Sequence, residues 1–284
     1  TIPTSMRHMK TSWTRTMTET RTQTRTGPGF LSALLALVLM AVATPVAAEH
    51  VPPTPDGFAE FEAVSRLFLR AEDWDPMIEL VGRFEGEDTE FRYRALTAGT
   101  YYRIHRNVKV GGFYRLQFGA RHDDDWVLRD DGEWEWQDTT GRAEHVLLAD
   151  VTPRFLLEFL PGENWVFGVK NRYAFNAFNS HQTLLVRPQL TYFWLKNRRP
   201  ILNVTAAYGL YGALNFSDEL LYRHSPYLDA IIHLGDVTKL NLGVARKTVH
   251  WATSEDVEEG WDDGYSIDQT SWLFTAGVIF VTRL

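Results

Sequence analysis

The chain reads as an all-β protein, a ten-stranded antiparallel up-and-down transmembrane β-barrel preceded by a short N-terminal amphipathic helix. Three observations predict this. The closing stretch SWLFTAGVIFVTRL sets Trp272, Phe274, Ala276, Val278, Phe280, Thr282 and Leu284 on one side of an extended chain, and that side needs an apolar neighbour along its whole length. The same two-residue period recurs upstream, and the opposite side of most segments carries Arg, Lys, Asp, Glu or Gln rather than a second apolar set. The links between segments alternate between short and long.

Taken in order, residues 30–42 (FLSALLALVLMAV) form an apolar run of about thirteen, the length of an export signal and short of the roughly twenty that a spanning helix needs. Arg15, Arg21 and Arg25 precede it, and Val46, Ala47 and Ala48 supply small residues before a cut, so the mature chain is expected to begin near Glu49. The Thr/Arg-rich stretch before the signal contains Met6, Met9 and Met17, and reads as an over-extended gene start. The expected organisation is therefore 1–48 as extension plus signal, 49–76 as a Pro-rich leader and helix, and 77–284 as the barrel. Pro52, Pro53 and Pro55 stiffen the leader. Phe58, Phe61, Val64, Leu67, Phe68 and Ala71 then recur at helical spacing, with Glu60, Glu62, Arg66 and Arg70 between them, predicting an amphipathic helix at the periplasmic end, as a cap or plug.

Ten strands follow, over 77–86, 90–104, 108–120, 144–160, 164–178, 182–196, 200–216, 225–234, 238–251 and 271–284. An even count lets both termini lie at one end. Short links at 106–107, 161–163, 197–199 and 235–237 are tight-turn sites, while 121–143, 179–181, 217–224 and 252–270 include the long ones. In the fourth strand Leu147, Ala149, Val151, Pro153, Phe155, Leu157 and Phe159 oppose Asp150, Arg154 and Glu158. In the fifth, Trp165, Phe167, Val169, Tyr173 and Phe175 oppose Lys170 and Arg172. Trp165 and Trp194 sit beside short turns, where an aromatic girdle meets headgroups. A soluble ligand-carrying barrel shows the same period with the apolar stripe turned inward, but bulky rings on nearly every strand would overpack so small a lumen.

With the charged stripe inside, the predicted lumen network comprises Glu79, Arg83, Arg115, Asp150, Arg154, Glu158, Lys170, Arg172, Arg187, Asp229 and His233, joined by Glu85, Arg92, Arg94, Lys239 and Lys247. Acids and bases at such close quarters pair and largely occlude the bore, giving a packed salt-bridge core; the alternative is a narrow passage or pocket favouring anions, because bases outnumber acids in that set. The two long loops are acidic and tryptophan-rich. Asp123, Asp124 and Asp125 in one, and Asp262 and Asp263 in the other, are the candidates for holding divalent cations or bridging lipopolysaccharide, although neither loop has an EF-hand spacing.

Net charge of -7 argues against nucleic acid as a partner, and the absence of cysteine excludes a disulfide framework and thiolate chemistry. No cofactor motif is present. Rim proteases and lipid acyl hydrolases occupy barrels of this size, and His122 with Asp123, Asp124 and Asp125, and His224 with Ser225, are the residues from which a rim active site would be built, though no stretch carries a protease motif. The expected role is non-enzymatic, structural or surface-interacting, with a narrow anion-favouring channel and a hydrolase as alternatives.

The signal at 30–48, the alternating strands from Met77 and the closing strand at 271–284 together resemble the small bacterial outer-membrane barrels of uncharacterised function. Members of that class typically end in Phe, where this chain has Leu284. The resemblance implies location in the bacterial outer membrane, contact with its lipid and lipopolysaccharide, delivery by periplasmic chaperones and insertion by the barrel-assembly machinery.

Overall fold

Eleven strands, each alternating an outward side chain with an inward one, pair edge to edge and close on themselves. A computed structural model of the chain describes residues 59–85, 90–122, 125–128, 134–162, 164–217, 220–252 and 266–283. The expected export signal, the Pro-rich leader and the acidic stretch 253–265 lie outside the described residues. The wall strands are β1 (Ala59–Arg70), β2 (Trp74–Glu85), β3 (Glu90–His105), β4 (Val108–Phe118), β7 (Ala143–Leu156), β8 (Trp165–Asn176), β9 (Gln182–Lys196), β10 (Arg199–Ala213), β11 (Leu221–His233), β12 (Thr238–Ala252) and β13 (Ser266–Arg283). Between β4 and β7, β5 (Trp126–Leu128) and β6 (Trp134–Trp136) pair as a separate two-stranded ribbon that sequence periodicity did not predict.

The segment expected as a helix is the first strand, and this correction turns ten strands into eleven. Its inward residues are Glu60, Glu62, Val64, Arg66, Phe68 and Arg70; its outward ones are Ala59, Phe61, Ala63, Ser65, Leu67 and Leu69. Two apolar residues among the ions inside, and three small ones among the apolar residues outside, blur the two-residue period and mimic a helical one. Pairing decides the outcome. As a strand the segment hydrogen-bonds along both edges, from Ala59↔Trp272 to Arg70↔Arg283 with β13 and from Glu60↔Glu85 to Phe68↔Met77 with β2, satisfying backbone groups that two open sheet edges would leave unpaired.

An odd number of up-and-down strands makes the first and last run the same way, so the β1–β13 closure is parallel while the other neighbours in the wall are antiparallel. The expectation that both strand ends share one end of the barrel is thereby replaced: β1 starts at the long-loop end, and β13 finishes at the short-turn end. Eleven strands about 4.8 Å apart and tilted by about 40° set the wall at a radius of about 11 Å. Short turns gather at one end. The tightest, at Asn197 and Arg198, has positive φ at both residues (52° and 62°), the twist that a two-residue hairpin loop demands. Gly119 ends β4 with φ of 72°, where a side chain would strike the carbonyl oxygen of Arg92.

The apolar stripes face outward. Phe61, Leu147 and Trp194 are 50%, 55% and 57% exposed, whereas Glu60, Glu144 and Asp150, on the other face, are at most 1% exposed. Leu184 and Trp194 bound the outward stripe of β9 and stand about 26 Å apart along the barrel axis, given ~3.4 Å per residue and the ~40° tilt, which matches a lipid-facing band of about 25 Å. Trp74 packs on Tyr102 at 4.6 Å and Trp165 on Tyr192 at 4.7 Å, forming an aromatic ring near the short turns. Toward the long-loop end the outward rings acquire polar partners: the Tyr114 hydroxyl meets His145 Nδ1 at 2.5 Å, and that of Tyr208 meets His224 Nδ1 at 3.0 Å.

Candidate functional site

The inward stripes line a cavity of about 830 Å³. Its walls run from Arg70, Asp75 and Lys239 near the short turns to Arg121, His122 and Phe216 near the long loops. Because alternate residues of neighbouring strands meet directly across a ladder, strand register decides which charges pair.

Five carboxylates each hold two bases. Arg66 donates to Glu79 at 2.5 Å from its cross-strand position, and Arg115 approaches the same carboxylate at 3.6 Å. Arg172, directly across from Asp150, donates through Nε and Nη2 at 2.6 and 2.8 Å, while Lys170 lies 3.3 Å away and the Tyr101 hydroxyl donates at 3.1 Å. Glu60 receives Lys247, the Ser271 hydroxyl at 2.5 Å and Arg83 at 3.4 Å, so one carboxylate ties β1, β2, β12 and β13 together at the parallel closure. Asp75 takes Lys109, with Arg70 at 3.9 Å. Glu85 has Arg121 at 3.4 Å and Arg92 at 3.8 Å. Arg83 also pairs with Glu62 at 2.8 Å, so the Glu60 cluster balances, whereas two cations face one carboxylate at Glu79, Asp150 and Asp75, and Arg154, Arg187, Arg223 and Lys239 add charge with no ion pair among the described residues. Low-dielectric walls concentrate that surplus into a field that attracts anions.

At the long-loop end a different cluster ties the loop onto the wall. Glu144 is fully buried and accepts from Asn176 Nδ2 at 2.8 Å, Gln117 Nε2 at 3.0 Å and Arg142 Nε at 3.1 Å, with His122 Nε2 at 3.0 Å from both its oxygens. Arg142 also grips Asp125 with both terminal nitrogens, at 2.6 and 2.7 Å, and the His122 backbone N–H donates to that carboxylate at 2.7 Å. Hydrogen bonding to Asp125 holds the Arg142 guanidinium above its ordinary range.

Of the predicted network, Glu79, Arg83, Arg115, Asp150, Arg154, Lys170, Arg172, Arg187 and Asp229 line the cavity or sit in the clusters beneath it. His233 ends β11 with its Nε2 buried and unpartnered. Glu158 departs from expectation: β7 stops at Leu156, and Glu158 lies exposed in the following turn, away from the lumen. Arg94 also faces outward, its guanidinium 4.7 Å from the Phe118 ring, because the irregularity between Arg83 and Phe84 shifts the phase of β3.

Among the metal candidates Asp125 is occupied by Arg142, while Asp123, Asp124, Asp262 and Asp263 lie outside the described residues. No group of three metal-ligating side chains forms among the described residues. Among the described residues weighed for hydrolysis, His122 is joined to Asp125 through its backbone N–H, and His224 and Ser225 diverge. His122 faces the lumen, His224 faces outward toward Tyr208 and His250, and Ser225 points inward from the next position.

Sequence reading missed Glu60, Arg66, Glu144 and Arg223 as lumen groups. Glu60, Glu62, Arg66 and Arg70 all occupy even positions, and that spacing alone carried the signal. Comparison with protein-family models and with curated proteins finds no match to this chain.

Proposed function

We propose that this chain is an integral β-barrel of the bacterial outer membrane whose lumen admits small anions. The surplus of inward cations around a cavity lined from one end of the barrel to the other carries the reading. Over the ~26 Å apolar band the 830 Å³ corresponds to a mean cross-section of about 30 Å², enough for a small, partly dehydrated anion. The exposed apolar band and the aromatic ring near the short turns support a membrane setting, since water as the only neighbour would leave that surface unburied.

A second reading, an occluded scaffold with a surface-interaction role, is favoured by the five bridged carboxylates, which hold side chains across the bore. Recordings from the folded chain in planar bilayers under a KCl gradient separate the two. Discrete steps whose reversal potential favours chloride are expected from the open lumen; silent bilayers containing folded protein, or cation selectivity, overturn it. Heat-modifiable migration in detergent gels checks that the inserted protein is folded.

A further inference from the structure

Arg187 and Arg223 differ from the other lumen cations in what surrounds them. Each lies over a tyrosine ring rather than beside a carboxylate: the Arg223 guanidinium carbon is 4.3 Å from the Tyr211 ring centre, and that of Arg187 is 5.6 Å from the Tyr227 ring centre. The two tyrosine hydroxyls meet at 2.6 Å, joining the four side chains into one patch spanning β9, β10 and β11. The patch has unmet hydrogen-bonding capacity. Arg187 Nε, Arg223 Nε and the Ser225 hydroxyl are all buried without a hydrogen-bond partner. Asp229, on the same strand as Arg223, forms an ion pair with neither arginine, although it lies near enough to Arg187 to feel its charge.

The floor of the patch is cut away. Gly209 pairs with Ser225, and a Cβ on Gly209 would stand 3.0 Å from both the Tyr211 and the Tyr227 rings, so a side chain there would press on both. Above the patch, toward the long loops, aromatic rings continue: Tyr222 lies 6.5 Å from Tyr211, Phe216 lies 5.2 Å from Tyr222, and His181 stacks on Phe216 at 4.2 Å with a 6° interplanar angle. All of these rings border the same cavity.

We infer that this patch is a binding site for small aromatic carboxylates, the carboxylate lodged between Arg187 and Arg223 and the ring directed toward Tyr222 and Phe216. Guanidinium N–H groups in a fork match a carboxylate's two oxygens, and a buried cation without a counter-ion is tolerated where a bound anion supplies one. Flat rings beside the fork add stacking surface that a simple inorganic anion cannot use. The site rests on the open, anion-favouring lumen proposed above, because its ligand enters by that cavity.

Isothermal titration of the full chain, folded in detergent micelles, tests this with sodium benzoate against sodium acetate and benzylammonium chloride. Benzoate is expected to saturate one site, with acetate and benzylammonium at least about tenfold weaker. Arg187→Gln and Arg223→Gln are each expected to weaken benzoate by about tenfold or more, while heat-modifiability stays as in the parent chain, since each change removes an unpaired cation rather than half of a pair. Benzoate binding no tighter than acetate overturns the role of the rings, and unchanged binding in both arginine variants overturns the site. The comparison of the three probes needs no variant. Anion-selective current without benzoate binding sinks this inference alone, whereas arginine-dependent benzoate binding in a barrel that passes no current supports the site and sinks the passage.

Discussion

Removing Glu60 probes the parallel closure, because its buried carboxylate on β1 is contacted from β2, β12 and β13 alike. Glu60→Ala leaves Lys247, 9% exposed, without its counter-ion, strips Arg83 of one of two acids and orphans the Ser271 hydroxyl. Breaking a buried pair by removing one partner costs about 3–5 kcal/mol, and the Ser271 hydrogen bond adds about 1. Because water reaches the lumen, the lower part of that range, about 3 kcal/mol, is the expectation. Urea titration of the folded chain in lipid vesicles reads it through tryptophan fluorescence, as a lower midpoint at unchanged slope. The double variant Glu60→Gln with Lys247→Met should recover at least half of the loss, since removing both partners is far cheaper than removing one. A Glu60→Ala cost below about 1 kcal/mol, or no recovery in the double variant, refutes the account of β1 as the strand that closes the wall through this carboxylate.

Three further outcomes follow from the same geometry. Val151→Arg, at the middle of the outward stripe of β7, should cost about 2–4 kcal/mol in vesicles; an unchanged urea midpoint would refute the lipid-facing assignment. Glu144→Ala should release the loop at 119–142 and cost about 3 kcal/mol, because four donors lose their acceptor, and faster protease cleavage in that loop with the barrel intact is the readout. Gly99→Ala should destabilise by about 1–3 kcal/mol, since its Cβ would fall on the Gly112 carbonyl oxygen and the Phe113 ring; an unchanged urea midpoint would show that the contact relaxes freely.

Legibility followed the strength of the two-residue period. β9 reads at its true bounds, Gln182–Lys196, because Leu184, Val186, Leu190, Tyr192 and Trp194 are separated cleanly from Arg187 and Gln189. β11 begins at Leu221 rather than 225, because a register irregularity opposite Tyr211 and Gly212 brings both Tyr222 and Arg223 to the cavity and breaks the stripe. The Arg187 and Arg223 patch was invisible for another reason. Arg187 was expected in the lumen, but nothing in its neighbourhood along the chain announces Tyr227, which lies on β11 with β10 between them.

By itself, the amino-acid sequence determined that strands form, which of their faces is apolar, and that bases outnumber acids on the other, because these are properties of alternation along one strand. Strand number, the parallel closure and the pairing of each charge were decided only in the closed barrel. A ladder joins residues distant in sequence, and whether residues 59–70 form helix or strand depends on two sheet edges that exist only once the wall is built.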